Sequence, residues 1–170
     1  MTYTTAMDFT LSIERGWYDG SGDHDPNPTM QGVTQETYNR YRDKARLPRR
    51  SVRLIERHEL DAIYRRYWDE ANCNEWGDRT AAAVFDHSIN SGPEVAIKML
   101  QRAAGVKDDG VVGPATRAAV AKIADPLLAE RVLWERLDFY RDLAAPKGSK
   151  HRQSLLSWVD RVLRLRASWA

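Results

Sequence analysis

Leu60, Ile63, Tyr64, Tyr67 and Trp68 recur at i, i+3, i+4, i+7 and i+8. At 3.6 residues per turn that spacing draws one broad apolar stripe along a helix, which must be buried against something. The same period returns along most of the chain. Thr34 stands at a cap position ahead of Tyr38 and Tyr41. Ala81 to Ile89 is Ala-rich and predicts a central helix against which others pack closely. Gly92-Pro93-Glu94 opens another, with Val95, Met99 and Leu100 as its core face and a proline and an acid in its first turn. A long helix is predicted from Pro126 to Leu143, carrying Leu127, Leu128, Val132, Leu137 and Tyr140. A last one runs from Gln153 to Arg166 and offers Leu155, Leu156, Val159, Val162 and Leu163. Lys44 to Arg53, basic and containing Pro48, reads as an exposed connection. Only Trp17 to Val33 lacks helical periodicity, and loops or a small hairpin are expected there. The expected fold is mainly α, a small irregular or β-hairpin lobe beside a larger helical lobe with a cleft between them.

The chemistry-bearing residues concentrate where the periodicity stops. Glu14 closes a short predicted helix marked by Phe9, Leu11 and Ile13, and Trp17 and Tyr18 follow it. An acidic Gly/Pro-rich loop carries Asp23 nine positions on and Thr29 six further. Cleavage of a glycosidic bond needs such a set: a protonated carboxyl for the leaving oxygen and polar groups across the bond to stabilise charge and place water. A carboxyl beside aromatic rings can also have the raised pKa that an acid requires. By spacing alone the same residues read equally as a helix-end charge followed by turn chemistry.

A resemblance separates those readings. Glu14-Arg15-Gly16-Trp17-Tyr18 resembles the E-G-G-Y/F opening of glycoside hydrolase family 108, the N-acetylmuramidases of phage endolysins and bacterial secretion activators. Asp25-Pro26 and Thr29 to Thr34 are similar to its D-P loop and T-x-x-G-I-S/T segment. Ile63-Tyr64 with Tyr67-Trp68 resembles the I-Y-x-x-Y-W helix, and Asp86 to Gly92, which includes Asn90, resembles D-x-x-V-N-x-G. Ser157 to Val162 is similar to the closing G-W-L-N-R-V. The positions of Glu14, Asp23 and Thr29 also resemble the catalytic triad of phage-type lysozymes. Two departures stand out: Arg15 replaces a glycine, and Asn27-Pro28 replaces Gly-Gly, which sends the loop backbone along a different path. Lysozyme spacing points to Asp23 as the second carboxylate, the D-P pair points to Asp25, and Asp19 stands third. Leu100-Gln101, Gly105-Val106, Asp109-Gly110 and Gly113 to Thr116 resemble the core of peptidoglycan-binding repeats. A helix end near Gly105, a turn at Asp109-Gly110 and a new helix at Pro114 account for those residues structurally.

At 170 residues the chain suits one lysozyme-like domain, 1–170. Within it we expect a catalytic muramidase region at 9–87 and a helical lobe with the peptidoglycan-binding-like motif at 88–166. No linker marks Ser88 to Pro93, which favours an integrated lobe over a separate wall-binding module. No apolar run has the length to span a bilayer, so no stable membrane insertion is expected. Met1 to Thr5 carries neither a basic n-region nor an apolar h-region, so synthesis in the cytoplasm without a recognisable signal is expected. Action in the periplasm or cell wall then implies a holin or similar pore, or a dedicated exporter. The lone cysteine, Cys73, excludes an intramolecular disulfide and reads as an inert, semi-buried thiol.

The four histidines, His24, His58, His87 and His151, lack metal-ligand spacing, and no G-x-S-x-G elbow, P-loop or dinucleotide fingerprint occurs. No cofactor or metal is expected. Basic residues gather at Arg40 to Arg57 and Lys147 to Arg166. In the second cluster Trp158, Val159 and Val162 interleave with Arg161 and Arg164, a core face beside a solvated one. Attraction to an anionic wall fits that charge better than binding of nucleic acid.

The resemblance therefore implies a monomeric N-acetylmuramidase acting on peptidoglycan glycan strands. Glu14 is the general acid, Asp23 (or Asp25) the charge stabiliser and Thr29 the water-placing group. Trp17, Tyr18 and Asn90 are the substrate-binding candidates. A lytic transglycosylase and a non-catalytic peptidoglycan-binding protein are the alternatives, the latter favoured by the Arg15 and Asn27-Pro28 departures.

Overall fold

The computed structural model describes residues 2–14, 16–21 and 27–169. Among these the chain forms eight α-helices and one three-stranded antiparallel sheet, so the expected mainly α, lysozyme-like α+β class holds. Two units are distinguished, residues 7–66 and residues 67–170 together with 1–6. Helix α1 (Tyr3–Ile13) buries Tyr3, Ala6, Met7 and Thr10, at i, i+3, i+4 and i+7. Phe9, Leu11 and Ile13, the residues that marked this helix in the sequence, are only half-buried. Their alternate spacing spreads them around the helix, and the polar Thr10 completes the inward face instead.

In the unit of residues 7–66, β1 (Trp17–Tyr18) pairs with β2 (Thr29–Met30), and β2 with β3 (Val33–Thr34). Gln31 and Gly32 join β2 to β3 with φ of 48° and 78°. Two left-handed residues in a two-residue loop make a type I′ hairpin turn, whose twist matches that of the strands. Helix α2 (Gln35–Lys44) starts directly after β3, and Thr34 caps it by accepting from the Thr37 amide. A 3-10 turn at Val52–Leu54 precedes α3 (Arg57–Glu70). Leu60, Ile63, Tyr64 and Trp68 of the α3 stripe are buried, with Tyr67 at its half-buried edge.

The Lys44 to Arg53 connection is exposed as expected, apart from Arg50 and Val52. Val52 is fully buried, and Arg50 reaches the buried Glu59 at 2.8 Å. Glu59 also accepts from the Tyr38 hydroxyl at 2.6 Å and the Glu56 amide at 3.0 Å, and pairs with Arg42. Burial alone raises the Glu59 carboxyl. Those donors and Arg50 outweigh it and hold the group down at about 2.

The unit of residues 67–170 and 1–6 is built around α4 (Asp78–Ser91), buried without interruption from Ala81 to Ser88. Its alanines let α5 (Pro93–Ala103) and α7 (Asp125–Ala144) pack against it, and α8 (Leu155–Ala167) packs on α7. Tyr3, Trp68 and Phe85 meet edge to face at centroid distances of 5.3 to 5.9 Å. Cys73 is buried, which pushes its thiol up, with Asp69 adding to the effect. A short α6 (Pro114–Val120) follows the Asp109-Gly110 turn. The turn is held by buried Gln101, whose amide nitrogen reaches Asp109, the Val111 carbonyl and Thr116, and whose oxygen accepts from the Gly110 amide. The L-Q, D-G and T positions of the repeat-like motif are thus one clamp.

Both long C-terminal helices bury part of the stripe expected of them, each with an arginine added. In α7 it is Leu128, Val132, Arg136 and Tyr140, with Leu127 exposed; in α8 it is Arg161, Val162 and Leu165, with Leu156 and Leu163 exposed. The inward arginines converge on Asp86 of α4. Arg161 grips its carboxylate through two nitrogens at 2.8 and 2.9 Å, and Arg136 adds a contact at 2.8 Å. Arg161 had read as part of a solvated face; paired with a buried acid it belongs to the core. Burial raises the Asp86 carboxyl, but Arg161 and Arg136 more than offset this and hold it well below the usual carboxylate range.

The neighbouring His87 is fully buried against Phe139 and Tyr140, and neither ring nitrogen has a hydrogen-bond partner among the described residues. Burial first, then Arg136, drives its pKa well below the ordinary 6.5. The unfolded chain therefore binds a proton that the folded chain refuses. Stability should be complete above pH 6.5 and fall as pH drops below it, by about 1.4 kcal/mol per pH unit. Asp86 and Glu59, depressed in the fold, should add losses at still lower pH. Urea midpoints between pH 7.5 and 5 test this; His87→Leu should flatten the upper part of the curve.

Candidate active site

Glu14 is the first residue beyond α1, yet its amide still donates to the Thr10 carbonyl at 2.9 Å. The last turn of the helix therefore aims its side chain. The carboxyl end lies against the β2–β3 turn: a Cβ built on Gly32 would stand 2.9 Å from Glu14 Cδ and 2.6 Å from Tyr64 Oη. A methyl group there would force Glu14 and Tyr64 to shift, and the left-handed φ separately favours glycine. Tyr64, on α3, donates its hydroxyl to the Gln31 carbonyl. A helix end, a hairpin turn and a buried tyrosine thus meet around Glu14. Sequence reading assigned Tyr64 to the core only. The available signal was its hydroxyl, since a tyrosine at a fully buried stripe position needs a polar partner.

The sheet register sorts the other candidates. Thr29 lies opposite Tyr18 on one side and Thr34 on the other, so these three share a face. The Thr29 hydroxyl donates to the Asn27 carbonyl at 3.0 Å. Trp17 lies opposite Met30, which in turn faces Val33, on the alternate face. The Arg53 guanidinium sits 5.7 Å from the centroid of the Trp17 ring, whose residue is 38% exposed. The structure therefore brings Tyr18 and Thr29 together and separates Trp17 from them. Asn90 is exposed near the end of α4, in the other unit. Asp23 and Asp25, with Arg15 and His24, lie outside the described residues. Among the described residues no group of three or more His, Cys, Asp or Glu side chains is placed to hold a metal ion, and no helix is long and apolar enough to cross a membrane.

A mainly helical chain whose first helix ends in a carboxylate against a small antiparallel sheet is arranged as lysozymes are, and its class is that of a glycoside hydrolase. The chain belongs to the glycosyl hydrolase 108 family, whose model matches residues 7–92. Residues 95–163 match a second model, described as a predicted peptidoglycan domain. Twelve chains among solved structures match. One is SagA of Brucella abortus, 29% identical, with a TM-score of 0.81 and an alignment covering 98% of this chain and 92% of that one. No match is found among curated proteins. The two family matches make this chain a peptidoglycan hydrolase, an enzyme of the cell wall.

Proposed function

We propose that the chain is an N-acetylmuramidase that hydrolyses the β-1,4 bond between MurNAc and GlcNAc, with Glu14 as general acid. The carrying observation is the close approach of the Glu14 carboxyl end and the Tyr64 hydroxyl to Gly32, which supports a defined seat for the acid. A loose helix-end charge would need neither the glycine nor the tyrosine.

The protonated Glu14 donates to the glycosidic oxygen as the bond to the MurNAc anomeric carbon breaks, and GlcNAc leaves with the proton. Asp23 (or Asp25) stabilises the positive charge that develops on the MurNAc ring. Thr29 positions the attacking water, whose oxygen becomes the new anomeric hydroxyl while its second proton passes to solvent. Glu14 is reprotonated from solvent, and inversion is the outcome expected of the phage-type arrangement. Tyr18, on the same sheet face as Thr29, is the nearer stacking surface, and Trp17 and Asn90 are further substrate contacts. The chemistry needs no cofactor. The enzyme works as a monomer and reaches its substrate through a holin-like pore or an exporter.

Mass spectrometry of the soluble products from purified peptidoglycan, with and without borohydride reduction, tests the reaction. Chains ending in reducible MurNAc are expected. Anhydro-MurNAc ends would make the enzyme a lytic transglycosylase, and the absence of soluble sugar would leave a binding protein. Gly32→Ala tests the geometry: the methyl group displaces Glu14 and Tyr64, and kcat should fall about 10- to 100-fold. The fold should survive the roughly 1–2 kcal/mol cost of a left-handed alanine. An unchanged kcat would mean that Glu14 has no need of its seat.

A further inference from the structure

Trp134 is 66% exposed on α7, whereas Trp68 and Trp76 are buried. It forms the wall between two adjoining grooves. One, of about 280 Å³, is floored by Leu133, Leu137 and Val162 and edged by the Glu130–Arg166 pair at 2.8 Å. The other, of about 360 Å³, runs over Ala103 and Gly105 and is edged by Arg131 and the Arg102–Glu135 pair at 2.8 Å. Arg166 is neutralised by Glu130, and Arg102 by Glu135 and Asp108. Arg131 is exposed and has no hydrogen bond or ion pair among the described residues. It is the unspent cation of this surface.

We propose that Trp134 and Arg131 form a peptidoglycan-binding site on the helical unit, where an N-acetylated pyranose ring lies on the indole face and a stem-peptide carboxylate pairs with Arg131. The inference rests on the chain being a peptidoglycan hydrolase and assigns its second, non-catalytic contact to specific side chains. A pyranose presents axial C–H groups on its face and hydroxyl and acetamido groups on its rim. An isolated indole takes the face, and the flanking carboxylates and guanidinium groups supply acceptors and donors for the rim. Two grooves let a strand continue past the tryptophan on both sides. A lipid-docking face would instead require a continuous apolar patch, which Glu130 and Glu135 interrupt.

Co-sedimentation with purified sacculi tests the site, using the full chain carrying Glu14→Gln so that the polymer survives. Trp134→Ala should weaken retention roughly tenfold, and Trp134→Phe should restore much of it. Arg131→Gln should weaken binding and flatten its salt dependence. With Glu14 intact, Trp134→Ala should slow digestion of sacculi while sparing short soluble glycan fragments. Equal sedimentation of Trp134→Ala, Arg131→Gln and parent would overturn the proposal. So would flotation of the parent on anionic phospholipid vesicles that Trp134→Ala abolishes while sacculus binding is untouched, which would make the face a lipid site. Trp134-dependent sedimentation without reducible MurNAc among the products would uphold this site while removing the muramidase reading.

Discussion

Glu14→Gln should cut the release of soluble muropeptides by about 10²- to 10⁴-fold and leave thermal unfolding unchanged. Glutamine has the shape of glutamate, so the packing over Gly32 and beside Tyr64 is retained. What it lacks is the proton. Without it the leaving sugar departs as an alkoxide, and the remaining groups can stabilise charge and position water but cannot remove that penalty. Reducing-end release over time, with circular dichroism melts of both proteins, separates lost chemistry from lost fold. Residual turnover above a tenth of the parent's would move the acid role to another carboxylate. Equal loss of melting temperature and activity would make Glu14 a structural residue.

Asp86→Asn should be the most destabilising single change in the helical unit. The amide keeps the volume but withdraws the charge that holds Arg136 and Arg161, both buried. Breaking a buried pair from one side costs about 3–5 kcal/mol, because the stranded cation stays desolvated. Total stability of an ordinary domain is roughly 5–15 kcal/mol, so this one change should remove a large fraction of what keeps the unit folded. Urea unfolding followed by tryptophan fluorescence reads the loss. A triple variant in which Asp86, Arg136 and Arg161 all become apolar residues of similar volume should recover most of it. If Asp86→Asn shifts the midpoint by less than a quarter of that range, the cluster is held by packing and not by charge.

The helices of this chain were legible because their apolar period is strong. The α3 stripe, the Thr34 cap, the Pro93 start and the Asp109-Gly110 turn all stand where the sequence puts them. The faces of α7 and α8 were legible only in part, for one physical reason. A stripe is recognised by its apolar members, and here each has a charged member, Arg136 or Arg161, whose partner lies 50 or 75 positions away. Periodicity holds no information about that distance. A charge in register with an apolar stripe is nevertheless a signal, since it is tolerated there only with a buried counter-charge. The Asp86 to Gly92 and Ser157 to Val162 segments, which resembled family signatures separately, meet through this pair. At the site, Glu14 and the hairpin were visible as a break in periodicity. The seat formed by Gly32 and Tyr64 was not, because it depends on a turn conformation and a long-range approach.

The helical unit is assembled from both sides of residues 7–66: Tyr3 joins Trp68 and Phe85, and Arg161 joins Asp86. That arrangement bears on biosynthesis. A nascent chain still lacking α8 holds Asp86 with a single arginine on offer and leaves the outer side of α7 wet. Residues 7–66 emerge early and find their partners within a short span, whereas the helical unit must wait for its last helix to clear the ribosome. Its protection against proteolysis should consequently arrive late and in one step, and nascent chains stalled before Arg161 should be digested at α4 and α7 while longer ones survive.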